Sequence, residues 1–193
     1  MVSFVGMMSK SQFKPFIRNL RRYFNAYGGW SDVLGSPLFL VSLFIAAVSY
    51  RQWLKPEWTE VAYALLPSLL GFSLGTYALL FSLITSRLKS ALRAVKNEKS
   101  ISSLEQVNAI FFHFIFVQVI GLLWAFCFDG SLLADLAAWL RPHAAYVWTI
   151  FLALKAAGAF IGFLLMIYSV ALVVGAAIAI YRLALISDPA DGD

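Results

Sequence analysis

Four long apolar stretches separated by short clusters of charge dominate the chain: roughly Leu34–Tyr50, Val61–Ser86, Val107–Phe128 and one within Ala144–Tyr181. Each meets or approaches the ~20 residues that carry a helix across ~30 Å of hydrocarbon. The first is the shortest, and the last is interrupted only by Lys155. Counting about 25 residues back from Arg182 reaches Ala157, which puts Lys155 near the outer headgroups, where its stem can snorkel. Ala144–Leu154 then stands above the hydrocarbon, with Tyr146 and Trp148 as interfacial anchors. It needs cover from the amphipathic segment Ser131–Leu140 or from another subunit. The pattern predicts an all-α membrane protein with four transmembrane helices, at about 34–50, 61–86, 107–128 and 157–181.

Ahead of the first span, Phe13, Phe16, Ile17, Leu20, Phe24 and Tyr27 recur at helical spacing with Lys14, Arg18, Arg21 and Arg22 between them. That spacing predicts a basic amphipathic helix on the inner leaflet, capped by Ser11 and ended by Gly28-Gly29. The linker after the second span reads as a continuing helix, with Leu88, Leu92 and Val95 on one side, that breaks near Asn97. Ser102 and Glu105 have capping-box spacing and start the third helix. Asp129-Gly130 ends it, and Pro142 suits the first turn of the fourth. The chain divides into a cytoplasmic interfacial helix (1–30), a four-helix transmembrane domain (31–186) and a disordered acidic tail (187–193).

Composition agrees with this organisation. Of 193 residues, 61% are hydrophobic and 13% charged, about half the ~25% charge of a soluble domain. One cysteine, Cys127, excludes an intrachain disulfide framework and any multi-cysteine metal site. No cleavable signal precedes the first span, because basic and apolar residues interleave there. Basic residues fall on alternate sides. Lys10, Lys14, Arg18, Arg21, Arg22, Arg87, Lys89, Arg93, Lys96, Lys99 and Arg182 flank one side, and Arg51, Lys55 and Arg141 the other. The positive-inside rule then places both termini in the cytoplasm of a bacterial inner membrane, multi-pass.

Residues 71–75 read GFSLG, the G-x-S-x-G signature of a hydrolase nucleophile elbow. An elbow needs a strand, a sharp turn and a helix, whereas this motif lies inside an apolar run that must be helical in lipid. A base is also missing. Ser73 sits about 20 Å from the inner end of its span and His113 roughly 9 Å from the same side, a mismatch beyond hydrogen-bond reach. His143 lies at the outer boundary. His113 and Gln118 are about 140° apart round their helix and so form no joint site; interhelical hydrogen bonding is their expected use. A metal site, a cofactor site, paired catalytic carboxylates, phosphate loops and a nucleic-acid domain are all without signature, and the expectation is that the chain is not an enzyme.

Counting in sevens explains the glycines. Ala64, Ser68, Gly71, Gly75, Ala78, Ser82 and Thr85 alternate by four and three, and all are small. A 3.5-residue repeat is the seam of a left-handed helix pair, and small residues let backbones approach where lipid supplies no hydrophobic drive. The seam serves either plain packing, within the subunit or between copies, or the lining of a narrow pore about a symmetry axis. Ser73 falls off it and has no base, so Ser73→Ala is expected to be nearly silent in assembly and function. The fourth span carries a looser version: Lys155, Gly158, Gly162, Leu165, Ser169, Leu172, Ala176 and Ala179. Continuing the second span's count past Thr85 gives Lys89, Leu92, Lys96 and Lys99. With Arg87 and Arg93, these lysines form a candidate site either for an anionic cytoplasmic ligand of nucleotide type or for anionic lipid of the inner leaflet.

The stretches SPLFLVSLF (Ser36–Phe44), LLPSLLGFSLGTYALL (Leu65–Leu80) and FFHFIFVQVI (Phe111–Ile120) resemble a group of small uncharacterised bacterial inner-membrane proteins. In build the chain also resembles the four-span membrane effectors of some antiphage systems, including the nucleotide-activated Hailong type. That resemblance implies an oligomeric channel opened by a ligand and acting in antiviral defence. The leading expectation is therefore a homo-oligomeric inner-membrane channel or pore. The alternative is a non-conducting scaffold or accessory subunit of another membrane complex.

Overall fold

The computed structural model describes residues 2–98, 100–130, 132–140 and 146–184. Every regular element among them is a helix: α1 (Val2–Tyr27), α2 (Gly29–Leu34), α3 (Pro37–Val48), α4 (Tyr50–Trp53), α5 (Trp58–Leu83), α6 (Ser86–Ala94), α7 (Ser103–Asp129), α8 (Leu132–Leu140) and α9 (Tyr146–Ala184). Three of them, α5, α7 and α9, are long and apolar enough to cross a membrane. The first apolar stretch forms α3, which at 12 residues is shorter than those three. The expected tail (187–193) and Pro142 at the start of the fourth helix lie outside the described residues.

Local chemistry sets most boundaries. Gly28 and Gly29 take φ of 118° and 79°, a left-handed backbone that ends α1 as its glycine pair predicts. The expected start at Ser11 is wrong: α1 begins at Val2 and runs on through Ser11 and Pro15. At the other boundary, the Ser102 hydroxyl accepts from the Glu105 N–H at 3.2 Å while the Glu105 carboxylate accepts from the Ser102 N–H at 3.3 Å, which is the predicted capping box.

The linker after α5 departs from expectation. The helix does not continue to Asn97; it stops at Leu83, Ile84 and Thr85 turn extended, and α6 starts afresh with the Thr85 hydroxyl accepting from the Leu88 N–H at 3.2 Å. The restart lets Leu92 pack with Ile84 and Leu104 in a small apolar cluster at this end of the bundle. Residues 95–103 then fold back tightly, with Ser103 N–H on the Val95 carbonyl at 2.9 Å and Asn97 N–H on that of Ile101 at 3.0 Å.

Contacts along the helices give their relative directions. The Tyr63 hydroxyl donates to Asp129 at 2.6 Å and the Tyr77 hydroxyl to Asn108 at 2.9 Å, so α5 and α7 are antiparallel. Leu38 lies beside Gly175 and Trp53 beside Phe160, so α3 and α4 run antiparallel to α9. Two apolar clusters stack along the bundle. Trp58, Leu66, Ala125, Phe163 and Met166 anchor one, and Phe111, Phe114, Val117, Tyr168 and Leu172 the other.

The looser repeat of the fourth span is an internal packing face, since Gly162, Ser169, Leu172 and Ala176 of α9 are all buried. Its G-x-x-x-G match receives aromatic rings and not a second helix backbone. A methyl at Gly158 would meet the Phe128 ring at 3.5 Å, and one at Gly162 would run into Trp58 and Trp124. The α8 segment packs against α9, while Tyr146, Ile150, Leu152 and Leu154 in the first turns of α9 stay exposed on the protomer.

Candidate functional site: the outward face of α5

Six residues of the repeat lie on α5, Ala64, Ser68, Gly71, Gly75, Ala78 and Ser82, and all are exposed on the protomer, as is Thr85 just beyond the helix end. A methyl placed at Gly71 or at Gly75 would meet nothing within 4 Å. The helix presents its other face inward, through Ala62, Leu66, Ser73 and Ile84. Packing within the subunit is therefore not the use of this repeat. The most apolar window of α5 is 11% buried, against 39% for that of α7 and 33% for that of α9, so α5 is the peripheral member of the three. In a helix-only bundle, a small-residue stripe on the peripheral helix is available to another helix.

The hydroxyls on this face are quiet within the protomer. Ser68 donates back to the Ala64 carbonyl at 3.2 Å and Ser82 to that of Leu79 at 2.8 Å, the usual way a serine satisfies its proton within a helix. Their remaining lone pairs point away from the helix backbone, giving a smooth, mildly polar strip along an otherwise apolar surface.

The basic cluster does not extend this strip. The break at Ile84–Thr85 resets the helical phase, so the count that placed Lys89, Leu92 and Lys96 on the same seam fails. Leu92 turns inward, Lys89 is half-buried, and Arg87, Arg93 and Lys96 are exposed; Lys99 lies outside the described residues. On α6, Lys89 and Arg93 are four apart and share a face, while Arg87 falls about 160° from Lys89. The structure brings Lys89 and Arg93 together and leaves Arg87 on the other side.

Two buried polar constellations were out of reach of sequence reasoning because each joins separate helices. Ser73 accepts a hydrogen bond from the Gln118 amide at 3.0 Å in the interface of α5 with α7. The serine is 3% exposed and partners a side chain whose Oε1 has no hydrogen-bond partner among the described residues, so its loss bears on protomer stability, a quantity separate from assembly and function. Ser73→Ala is expected to lower protomer stability by about 1 kcal/mol, since a membrane interhelical hydrogen bond averages ~0.6 and an orphaned buried amide costs more. Gln118→Leu should cost no more than Ser73→Ala. Unfolding in graded denaturing detergent measures both, and a stability unchanged in Ser73→Ala contradicts the assignment.

The second constellation surrounds His113. Its Nδ1 lies 2.6 Å from the Tyr23 hydroxyl and its Nε2 3.0 Å from that of Tyr168. The Tyr27 ring stacks on the imidazole at a centroid distance of 4.0 Å. A neutral imidazole offers one donor and one acceptor, and tyrosine hydroxyls can meet both. The expected interhelical use of His113 is what the structure contains, with α1 supplying half of the partners. Arg22 adds an ion pair to Glu105 at the start of α7, so the second half of α1 is docked on the bundle. Phe13, Phe16 and Ile17 in its earlier part remain exposed, as expected of a helix that also meets lipid.

No known family model matches this chain, and no characterised protein or solved structure matches it. The class that fold and site define is a helical protein whose three long apolar helices suit a membrane.

Proposed function

We propose that this chain is a homo-oligomeric channel or pore of the bacterial inner membrane, assembled through the outward small-residue face of α5. One observation carries the reading: the only regular small-residue repeat of α5 points away from its own protomer, on the least buried of the long helices. Packing small faces around an axis leaves room for a narrow, hydroxyl-lined path, and Ser68 and Ser82 supply the hydroxyls. A bundle of four passes with both termini cytoplasmic fits the helix directions. The α3–α4 region accompanies α9 from Gly175 to Phe160, about 22 Å of its length, so α3 acts as the remaining pass despite its short helix.

Two experiments test this. Purified protein in nanodiscs should form a closed ring of copies, and the same preparation should pass ions in planar bilayers. A monomer, or a non-conducting complex with a different membrane protein, would replace the channel with the scaffold alternative. For topology, single cysteines in a Cys127→Ser background should resist an external impermeant thiol reagent at positions 10–25 and 87–99 and react at 52–58. Efficient outside labelling at position 93 would invert the arrangement.

A further inference from the structure

A cavity of about 350 Å³ opens between α1 and the start of α7, lined by Arg18, Arg21, Arg22 and Asn25 from α1 and by Ile101 and Glu105 opposite. The three arginines stand at i, i+3 and i+4, one face of a helix. They carry three positive charges against one carboxylate, a local excess of two. Arg22 is paired with Glu105, and Glu105 is further held by the Ser102 backbone and hydroxyl, so it stays in the capping box. Arg18 and Arg21 form no ion pair among the described residues. Attraction to an anionic leaflet would use any cation along the helix. Here the cations that line the concavity are all arginine, while Lys14 of the same helix is not part of its lining. Guanidinium forks bind phosphate oxygens in pairs, which ammonium groups do not. The volume is at the small end of ligand pockets, ~300–1,000 Å³, enough for a phosphate-bearing head and too small for acyl chains.

We propose that this cavity binds a phosphate-bearing anion through Arg18 and Arg21, with Asn25 as an additional donor, and so clamps α1 onto α7. The anion is either the headgroup of an acidic phospholipid or a soluble phosphate compound. The site is separate from the α5 face, and its occupancy does not depend on whether the chain conducts.

The test uses the full-length protein in nanodiscs. In discs of phosphatidylcholine alone, inorganic pyrophosphate is titrated and followed by calorimetry. In discs containing phosphatidylglycerol, native mass spectrometry after detergent release counts the anionic lipid that stays bound. Wild-type protein should bind at least one of the two probes, and the Arg18→Gln, Arg21→Gln double variant should lose that binding about tenfold or more. Arg51→Gln with Lys55→Gln removes the same charge elsewhere, at exposed positions, and should leave it intact. Loss in the pyrophosphate arm assigns a soluble ligand, and loss in the lipid arm alone assigns a headgroup. Arg18→Lys with Arg21→Lys keeps the charge and both helix propensities; it should still bind more weakly than wild type, and it carries the test if the glutamine variant fails to fold. Absence of binding in both arms overturns the site, as does equal loss in the Arg51, Lys55 control.

Discussion

Gly162→Ala is expected to destabilise the protomer by about 1–3 kcal/mol, the usual cost of overpacking a filled interior. An alanine methyl there would lie 2.8 Å from Trp124 Cδ1 and 2.9 Å from Trp58 Cζ2, inside normal contact, with a second Trp58 carbon closer still. Neither ring swings away freely. Trp58 is 3% exposed within the cluster of Leu66, Phe163 and Met166, and the Trp124 indole N–H donates to the Gly158 carbonyl at 2.9 Å. The better helix propensity of alanine returns up to ~1 kcal/mol, too little to reverse the sign. Gly158→Ala is the internal control: its methyl would sit at 3.5 Å from Phe128, an ordinary contact, so it should be neutral or slightly stabilising. Gly162→Leu should prevent recovery of a monodisperse protein altogether. Thermal unfolding in detergent reads the series, and equal stability of the two alanine variants would mean that Trp58 does not pack on Gly162.

Leucine at Gly71 or Gly75 is expected to do the reverse, leaving the protomer folded and removing assembly. Space is open at both positions in the protomer, so an added side chain meets no internal neighbour. Between copies it would hold two backbones apart along a seam whose van der Waals contact depends on small residues. Particle mass in nanodiscs should fall to that of the single chain while the unfolding temperature stays near wild type, and ion flux should disappear with it. If both leucine variants keep the wild-type mass, the subunits meet elsewhere and the α5 face only contacts lipid.

These two glycine pairs show where the sequence was legible. Both G-x-x-x-G spacings stand out on the page, at Gly71–Gly75 and at Gly158–Gly162, and both mark close-approach surfaces in principle. Which one is internal is a tertiary fact, decided by Trp58 and Trp124 arriving from other helices. Capping chemistry was readable because it is local: Ser102 with Glu105, and the glycines that end α1. The break after α5 was not, since no proline or glycine marks it. Its signal is Thr85, an N-cap residue that also fits the small-residue repeat. The Ser73–Gln118 and Tyr23–His113–Tyr168 contacts join residues 45, 90 and 55 positions apart, a separation that no spacing rule spans. Sequence gave His113 and Gln118 as polar residues in need of partners; only the fold names them.

The length of α9 has a mechanical consequence. At 39 residues it is about 58 Å of unbroken helix, close to twice the ~30 Å of hydrocarbon, and it touches α3, α4, α5, α7 and α8 along the way. No proline interrupts it, and its glycine pair, Gly158 and Gly162, is closed in by the rings of Phe128, Trp58 and Trp124, so the helix is held as a rod there. A change of about 10° in its inclination, pivoting near the middle, carries each end roughly 5 Å in opposite directions. Displacement at the Tyr146 end is thereby geared to displacement at the Arg182 end through one stiff lever.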